Sequence, residues 1–322
     1  MGRMLCLAAP TLMAMYLPFC AADVRLTVDP PDAPKASLWV QPADLQRRDL
    51  FNGPWGAERA PDPQARYALV QRKHTGINPG LTVRDPLGRE WSVKQAPAES
   101  PDEGPVEVVL SRVLSAVGYH QPPVYYLRSF TLEDDWGAHV EPGGRFRLKD
   151  KALKDRGEWS WQQNPFVGTK PYQGLLVILM MFNSSDLKSS NNTLYESRLG
   201  TGIERWYMVR DIGGSLGTTG RFAPRKNDPD AFDRHPFIAG IRDGYVEFHY
   251  RGWHQELLRR RITPDDVAWA SNLLGGLSDR QWHDAFRAGG YSPQVAARFI
   301  GTLQNKVAIG QRLRGELATA PE

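Results

Sequence analysis

The segment Asn183-Ser-Ser-Asp186-Leu-Lys188-Ser-Ser-Asn191-Asn192, followed by Tyr207-Met-Val-Arg-Asp211-Ile-Gly213-Gly214, constrains this chain more than any other. Thr193-Leu-Tyr195 and Arg205-Trp-Tyr-Met-Val209 read as short strands, and pairing them as a hairpin brings Asp186, Asn191 and Asp211 to one end of it. Phosphoryl transfer calls for such a set. One carboxylate orients and deprotonates an acceptor hydroxyl, while an amide and a second carboxylate are hard oxygen ligands for Mg2+ bridging the phosphates. Lys188 would steady the transferred charge. Taken alone, Asp186 and Asn191 also suit Asx turns, and Asp211 the start of a Gly-rich loop; the order of the flanking elements favours the chemical reading.

Upstream, strands alternate with turns from Arg66: Tyr67-Ala-Leu-Val-Gln71, the turn-rich Thr75-Gly76-Ile-Asn-Pro-Gly80, Leu81-Thr-Val-Arg-Asp85, the turn Pro86-Leu-Gly88-Arg89, and Glu90-Trp-Ser-Val-Lys94. Three antiparallel strands are the economical reading. In the third, Ser92 and Lys94 share one face and Trp91 and Val93 the other. A small residue two before a lysine leaves room for a flat ring, with the ammonium reaching its phosphates.

A helix follows over Pro105 to Val117, where Val106, Val109, Leu110, Val113, Leu114 and Val117 form one apolar stripe facing the sheet. Glu107 borders that stripe. It either turns inward to Lys94 or favours the helix dipole, an effect of a few tenths to about 1 kcal/mol; Glu103 lies before the helix proper. Val124-Tyr-Tyr-Leu127 is a further strand, and the polar stretch Glu133 to Arg145 is where a hinge between two lobes falls. Phe146-Arg-Leu-Lys149 reads as one more short strand. The run Leu175 to Phe182 is apolar all round. With Thr169 as cap and Pro171 in the first turn it reads as a buried helix, a buried strand being the alternative.

Glycine turn, strand lysine, helix glutamate, apolar helix, Asp-x-Lys-x-x-Asn, strand and Asp-x-Gly follow one another, and in this order the chain resembles the protein-kinase-like superfamily. It resembles the atypical bacterial and secreted branches, HipA-type and spore-coat-type, more closely than eukaryotic protein kinases. The resemblance covers about Tyr67 to Gly220 and rests on Trp91-Ser-Val-Lys94, Asp186-Leu-Lys188-Ser-Ser-Asn191 and Asp211-Ile-Gly213. It implies an α+β fold of two lobes, a small antiparallel-sheet N-lobe with one helix over residues 63–130 and a mainly helical C-lobe over residues 131–318. It also implies ATP in the cleft, with Lys94 on the phosphates, Glu107 holding Lys94, and the turn of Gly76 and Gly80 alongside. Asp186 would be the base, and Asn191 with Asp211 would hold Mg2+. The chain departs from the family in its glycine turn, which lacks three spaced glycines, and in Ser184-Ser185 where His-Arg would stand. Nor do Gly213, Gly214, Gly217 and Gly220 resemble an activation segment ending in Ala-Pro-Glu.

The N-terminus reads as an export signal: Met1-Gly-Arg3 is short and positive, Leu5 to Phe19 is mostly apolar, and Cys20-Ala-Ala22 offers a cleavage site before Asp23. Pro10 and Pro18 break the run short of the roughly 20 apolar residues of a spanning helix, so no transmembrane segment is expected in the mature chain. A lipoprotein signal ending at Cys20 is the alternative, disfavoured by the bulk of Phe19. Both cysteines, Cys6 and Cys20, fall in this segment, so the exported protein is expected to hold together without disulfides.

Residues 23–62 read as an extension anchored on the body by Trp39, Phe51 and Trp55. The C-terminal part carries helical periods over Pro264 to Leu274, Ser278 to Ala288 and Ser292 to Leu313, after a strand at Tyr245 to Tyr250. Forty Lys and Arg against 36 Asp and Glu, a net charge of +4, single out no nucleic-acid partner. Arg259-Arg260-Arg261 reads as the solvated end of a helix. His235, His249, His254 and His283 lack ligand spacing. The acceptor sequons at Asn183 and Asn191 lie where a glycan would block the cleft. The expectation is therefore an exported, periplasmic or secreted phosphotransferase that binds a nucleotide, ATP with Mg2+, and acts on a hydroxyl of an unknown protein, sugar or lipid. Two other readings remain: a kinase-fold binding protein of the cell envelope without turnover, since ATP is scarce there, and a secreted hydrolase using Asp186 and Asp211 as acid and base.

Overall fold

The first strand, β1 (Lys35–Ser37), leads into a segment that uses its aromatic residues to dock. Trp39 donates from Nε1 to Val117 O at 2.7 Å and meets Trp269 edge to face, centroids 5.3 Å apart. Arg48 donates to Ser115 O and Ala116 O, and Leu50 is 1% exposed. The computed structural model describes residues 34–73, 79–97, 102–198, 202–220 and 224–318; the export signal and Gly76 lie outside them.

Five strands follow, interrupted by one helix: β2 (Arg66–Lys73), β3 (Gly80–Arg84), β4 (Glu90–Gln95), α1 (Gly104–Ala116), β5 (Val124–Asp134) and β6 (Gly137–Leu148). Their order is β2-β3-β4-β6-β5, antiparallel throughout except where β2 pairs in parallel with β5 and closes a barrel. The small antiparallel sheet expected from the sequence is present and closed into a barrel. Tyr67, Val83, Trp91, Val93, Phe130 and Phe146 fill its interior, with rings meeting edge to face as π quadrupoles prefer.

The stretch read as a hinge is instead the turn and return strand of the β5–β6 hairpin, paired from Asp134↔Gly137 to Val124↔Arg147. Asp134 accepts from Trp136 N, and Gly137 sits at φ 92° to close the turn. Both faces of this hairpin tip meet water; Trp136 is 92% and Val140 74% exposed, so the alternation that marks a half-buried strand is missing.

Helix α1 differs from its expected single buried face, because all thirteen of its residues are buried. The barrel covers one side and a C-terminal helix the other. Its polar residues Glu107 and Arg112 are thereby enclosed and must find partners.

Beyond the barrel come β7 (Leu153–Asp155), α2 (Lys170–Met181), β8 (Asn192–Ser197) and β9 (Glu204–Val209), and β1-β9-β8-β7 form one sheet. Thr169 caps α2 by accepting from Tyr172 N, and α2 runs buried through the main core, as a run apolar on every face must. The predicted hairpin forms, Thr193 opposite Met208. Then come α3 (Pro229–Arg234), β10 (Ile238–Arg242), β11 (Tyr245–Phe248), α4 (Pro264–Gly275), α5 (Asp279–Ala288) and α6 (Pro293–Ala318).

Thr263 with Asp266, and Ser278 with Gln281, make capping boxes at α4 and α5. Arg259-Arg260-Arg261 follows a single 3-10 turn at Gln255–Leu257, with Arg259 N bonded back to Gln255 O, and Arg260 meets Asp243 at 2.9 Å. From Pro34 onward the chain is one compact unit of mixed α and β structure. Among the described residues no helix is long and apolar enough to cross a membrane.

Candidate active site

Register across β4 and β6 sets the first half of the site. Ser92 pairs with Arg147 and Lys94 with Arg145, while Trp91, Val93 and Phe146 point into the barrel. With a period of two, Ser92, Lys94, Arg145 and Arg147 therefore share the outer face. Lys73 from β2 joins them, donating to Ser92 Oγ at 3.2 Å, so an ammonium lies against the small residue where the sequence left room for a ring.

Lys94 is held from the start of α1. Its Nζ lies 2.9 Å from Glu103 Oε2, 3.7 Å from Glu107 Oε2 and 4.0 Å from Asp211 Oδ1. Glu103, set aside in the sequence because it precedes the helix, takes the closer place, since the N-cap position points its side chain along the cleft. It also answers Lys226 at 2.6 Å. Glu107 is committed first to Arg145, whose Nε lies 2.9 Å from Glu107 Oε1, and Arg145 Nη2 reaches Asp211 Oδ1 at 3.6 Å. Burial works to lower the Lys94 pKa, but Glu107, Glu103 and Asp211 together hold it above its ordinary value.

The second half comes off α2. Asn183 turns the chain at φ 54°, donates from Nδ2 to Gly217 O and accepts from Lys306 Nζ at 2.9 Å. Leu187 anchors the segment at 1% exposure. Ser185 O accepts from Trp253 N at 3.1 Å, and the Tyr250 hydroxyl sits between Trp253 O at 2.7 Å and Ser185 O at 3.1 Å, which fixes the backbone beside Asp186. Lys188 Nζ lies 3.0 Å from Asp186 Oδ1.

Asn191 donates from Nδ2 to Asp186 O at 2.9 Å, and its carbonyl accepts from Arg210 N at 2.7 Å. Asn191 and Asp211 thus stand at the same end of the β8–β9 hairpin. Asp211 itself sits at φ 49°, a left-handed conformation that short polar side chains tolerate. Burial works to raise its pKa, yet Arg147, Arg145, Lys94 and Arg210 keep it below the ordinary carboxylate value.

Both halves face one cleft of about 770 Å³ whose walls include Gly80, Lys94, Asp186, Lys188, Asn191 and Asp211. Glu107 does not line it and reaches it only through Lys94 and Arg145. The sequence reading missed Glu103, Arg145, Arg147, Lys73 and Lys226, all on the cleft wall. For the two arginines a signal existed: Arg145-Phe146-Arg147 alternates charged and apolar residues in a strand whose apolar face is inside. Among the described residues no three His, Cys, Asp or Glu converge, so a metal at Asn191 and Asp211 would draw its other ligands from phosphates and water.

No family model matches the chain, and no curated protein matches it in sequence. In structure it is similar to the Helicobacter pylori proinflammatory kinase CtkA, with a TM-score of 0.45 at 9% identity over 79% of this chain and 100% of that one. It is also similar to the Golgi casein kinase, with a TM-score of 0.37 at 10% identity over 86% of this chain and 74% of that one.

Proposed function

We propose that the protein is a kinase-like phosphotransferase that takes ATP with Mg2+ into the cleft between a barrel lobe and a helical lobe and acts, after export, on an acceptor hydroxyl. The observation that carries this reading is the approach of Lys94 Nζ to within 4.0 Å of Asp211 Oδ1, in a cleft that also presents Asp186 and Asn191. Those four groups lie as far apart as Lys94 and Asp211 along the chain. A structural ion pair alone would not require the other two.

The residues fit ATP and Mg2+. Asp211 is held ionised, and the Asn191 amide nitrogen is spent on Asp186 O, which leaves its amide oxygen as the end suited to a hard cation. A bound Mg2+ would supply charge neutralisation across the phosphates. Lys94, kept cationic by Glu103 and Glu107, would bind phosphate oxygens, with Lys73 and Arg147 on the same wall adding positive potential. Asp186 would accept the proton of the attacking hydroxyl, and Lys188 beside it would hold the transferred group.

Calorimetric titration of ATP with Mg2+ tests this. Wild type should bind, and Lys94→Ala and Asp211→Ala should each weaken binding at least tenfold; unchanged affinity in both variants would sink the reading.

A further inference from the structure

Beside the cleft runs a second groove, of about 620 Å³, that the phosphotransfer chemistry does not use. Its walls carry Arg225, Arg234, Arg251 and His249, and no Asp or Glu is among the described residues that line it. Arg234 ends α3 and Arg251 follows β11. Both are exposed, and neither guanidinium has a hydrogen bond or ion pair among the described residues. The carboxylate closest in sequence to Arg234, that of Asp233, is already committed to Arg298 and Thr302. Arg225 has Asp228 at 3.4 Å. With Arg234 and Arg251 outside any ion pair among the described residues and only Arg225 answered by Asp228, the lining keeps an excess of positive charge that focuses a positive potential along the groove.

Hydrogen bonds cross-link the walls of the groove and tie it to the site. Thr219 Oγ1 lies 2.9 Å from His235 Nε2, donates to His249 O and accepts from Arg251 N, which staples one wall to the other. Tyr250 forms part of the floor, and its hydroxyl lies 2.7 Å from Trp253 O and 3.1 Å from Ser185 O, the carbonyl next to Asp186. Thr219 lines the groove and Gly220 the cleft, so one run of backbone borders both. An occupant would lie alongside the residue placed to take the acceptor's proton.

We infer that this groove docks the acceptor, and that the acceptor is an extended polypeptide segment rich in Asp and Glu. A single phosphate favours convergent donors from hydroxyls and backbone amides. Here the Thr219 hydroxyl donates to His249 O and Thr218 Oγ1 accepts from Arg225 N, and the guanidiniums of Arg234 and Arg251 stand exposed on separate elements rather than converging on one point. Spaced cations suit spaced carboxylates. The assignment as acceptor groove rests on the phosphotransfer reading; the charge preference does not.

The test uses the full chain and two labelled serine peptides, one flanked by glutamates and one by lysines, followed by fluorescence anisotropy at low and high salt. The glutamate peptide should bind, lose affinity at high salt, and lose at least tenfold in an Arg234→Glu/Arg251→Glu variant, with a smaller loss in Arg234→Gln/Arg251→Gln. Equal binding of the two peptides, or unchanged binding by the charge-reversed variant, overturns the inference. So does arginine-dependent binding of inorganic phosphate without binding of the glutamate peptide. The melting shift caused by ATP and Mg2+ separates the two readings. If that shift is absent while arginine-dependent peptide binding persists, the groove stands and the phosphotransfer reading falls.

Discussion

Lys306 Nζ donates to Asn183 Oδ1 at 2.9 Å and to Met181 O at 3.0 Å, so the C-terminal helix α6 holds the turn from which Asp186 projects. Lys306 is 3% exposed, its Nζ stands 4.0 Å from the Phe232 ring centroid, and among the described residues no carboxylate is in contact with it. Burial pushes its pKa from the ordinary 10.5 down to about 7.

That depression sets a sign. Between pH 7 and 10.5 the unfolded chain binds a proton at Lys306 that the folded chain does not, so stability rises with pH across that window and is flat below it. Relative to Lys306→Met, wild type should gain up to about 1.4 kcal/mol per pH unit between pH 7 and 10. Urea unfolding at several pH values checks this; parallel curves for the two proteins contradict it.

Gly213 packs against the start of α1, where an added Cβ would lie 2.6 Å from Glu103 Cβ and 2.7 Å from Glu103 O. Gly213→Ala should therefore push Glu103 away from Lys94 and weaken binding of ATP with Mg2+ roughly tenfold, about 1.4 kcal/mol. Gly214→Ala is the control, since its Cβ would meet nothing closer than 3.9 Å. Equal affinities in the two variants would show that Glu103 does not position Lys94.

Much of this site was legible in the sequence because its parts have short-range signatures. Asp186-x-Lys188-x-x-Asn191 sits between a fully apolar helix and a strand, and the alternation of Ser92 and Lys94 against Trp91 and Val93 fixes which side the lysine faces. What escaped depends on packing at long range. Glu103 faces Lys94 because of how the loop enters α1, and no periodicity reports on that. The β5–β6 hairpin was hidden because both faces of its tip are wet, and barrel closure depends on a parallel pairing between residues 66–68 and 131–133. Lys306 looks like any lysine on an amphipathic helix until Asn183 is seen opposite it.

Arg147 is the first of the cations that hold the Asp211 carboxyl down, and its Nη1 is buried without a hydrogen-bond partner among the described residues. Arg147→Gln should cost little stability, within about 1 kcal/mol, because it removes no made hydrogen bond at that atom. It should raise the Asp211 pKa. The acid limb of Mg2+-dependent nucleotide binding should then move to higher pH, as seen by titrating affinity from pH 4 to 7; an unmoved limb means that Arg147 does not act on Asp211.

Asp186→Asn keeps size and shape but removes the base. Removal of a general base typically costs about 10²- to 10⁴-fold. Turnover, read as release or transfer of the terminal phosphate, should fall by that much while affinity for ATP with Mg2+ stays within about twofold of wild type. A parallel loss of affinity would place Asp186 on the ligand rather than on the acceptor.

The most direct measurement is a crystal structure with a non-hydrolysable ATP analogue and Mn2+ in place of Mg2+, read by the anomalous signal of the metal. A peak should stand between the Asn191 amide oxygen and the Asp211 carboxylate, with the phosphates against Lys94. A nucleotide bound elsewhere, or a metal peak that touches neither residue, would contradict it.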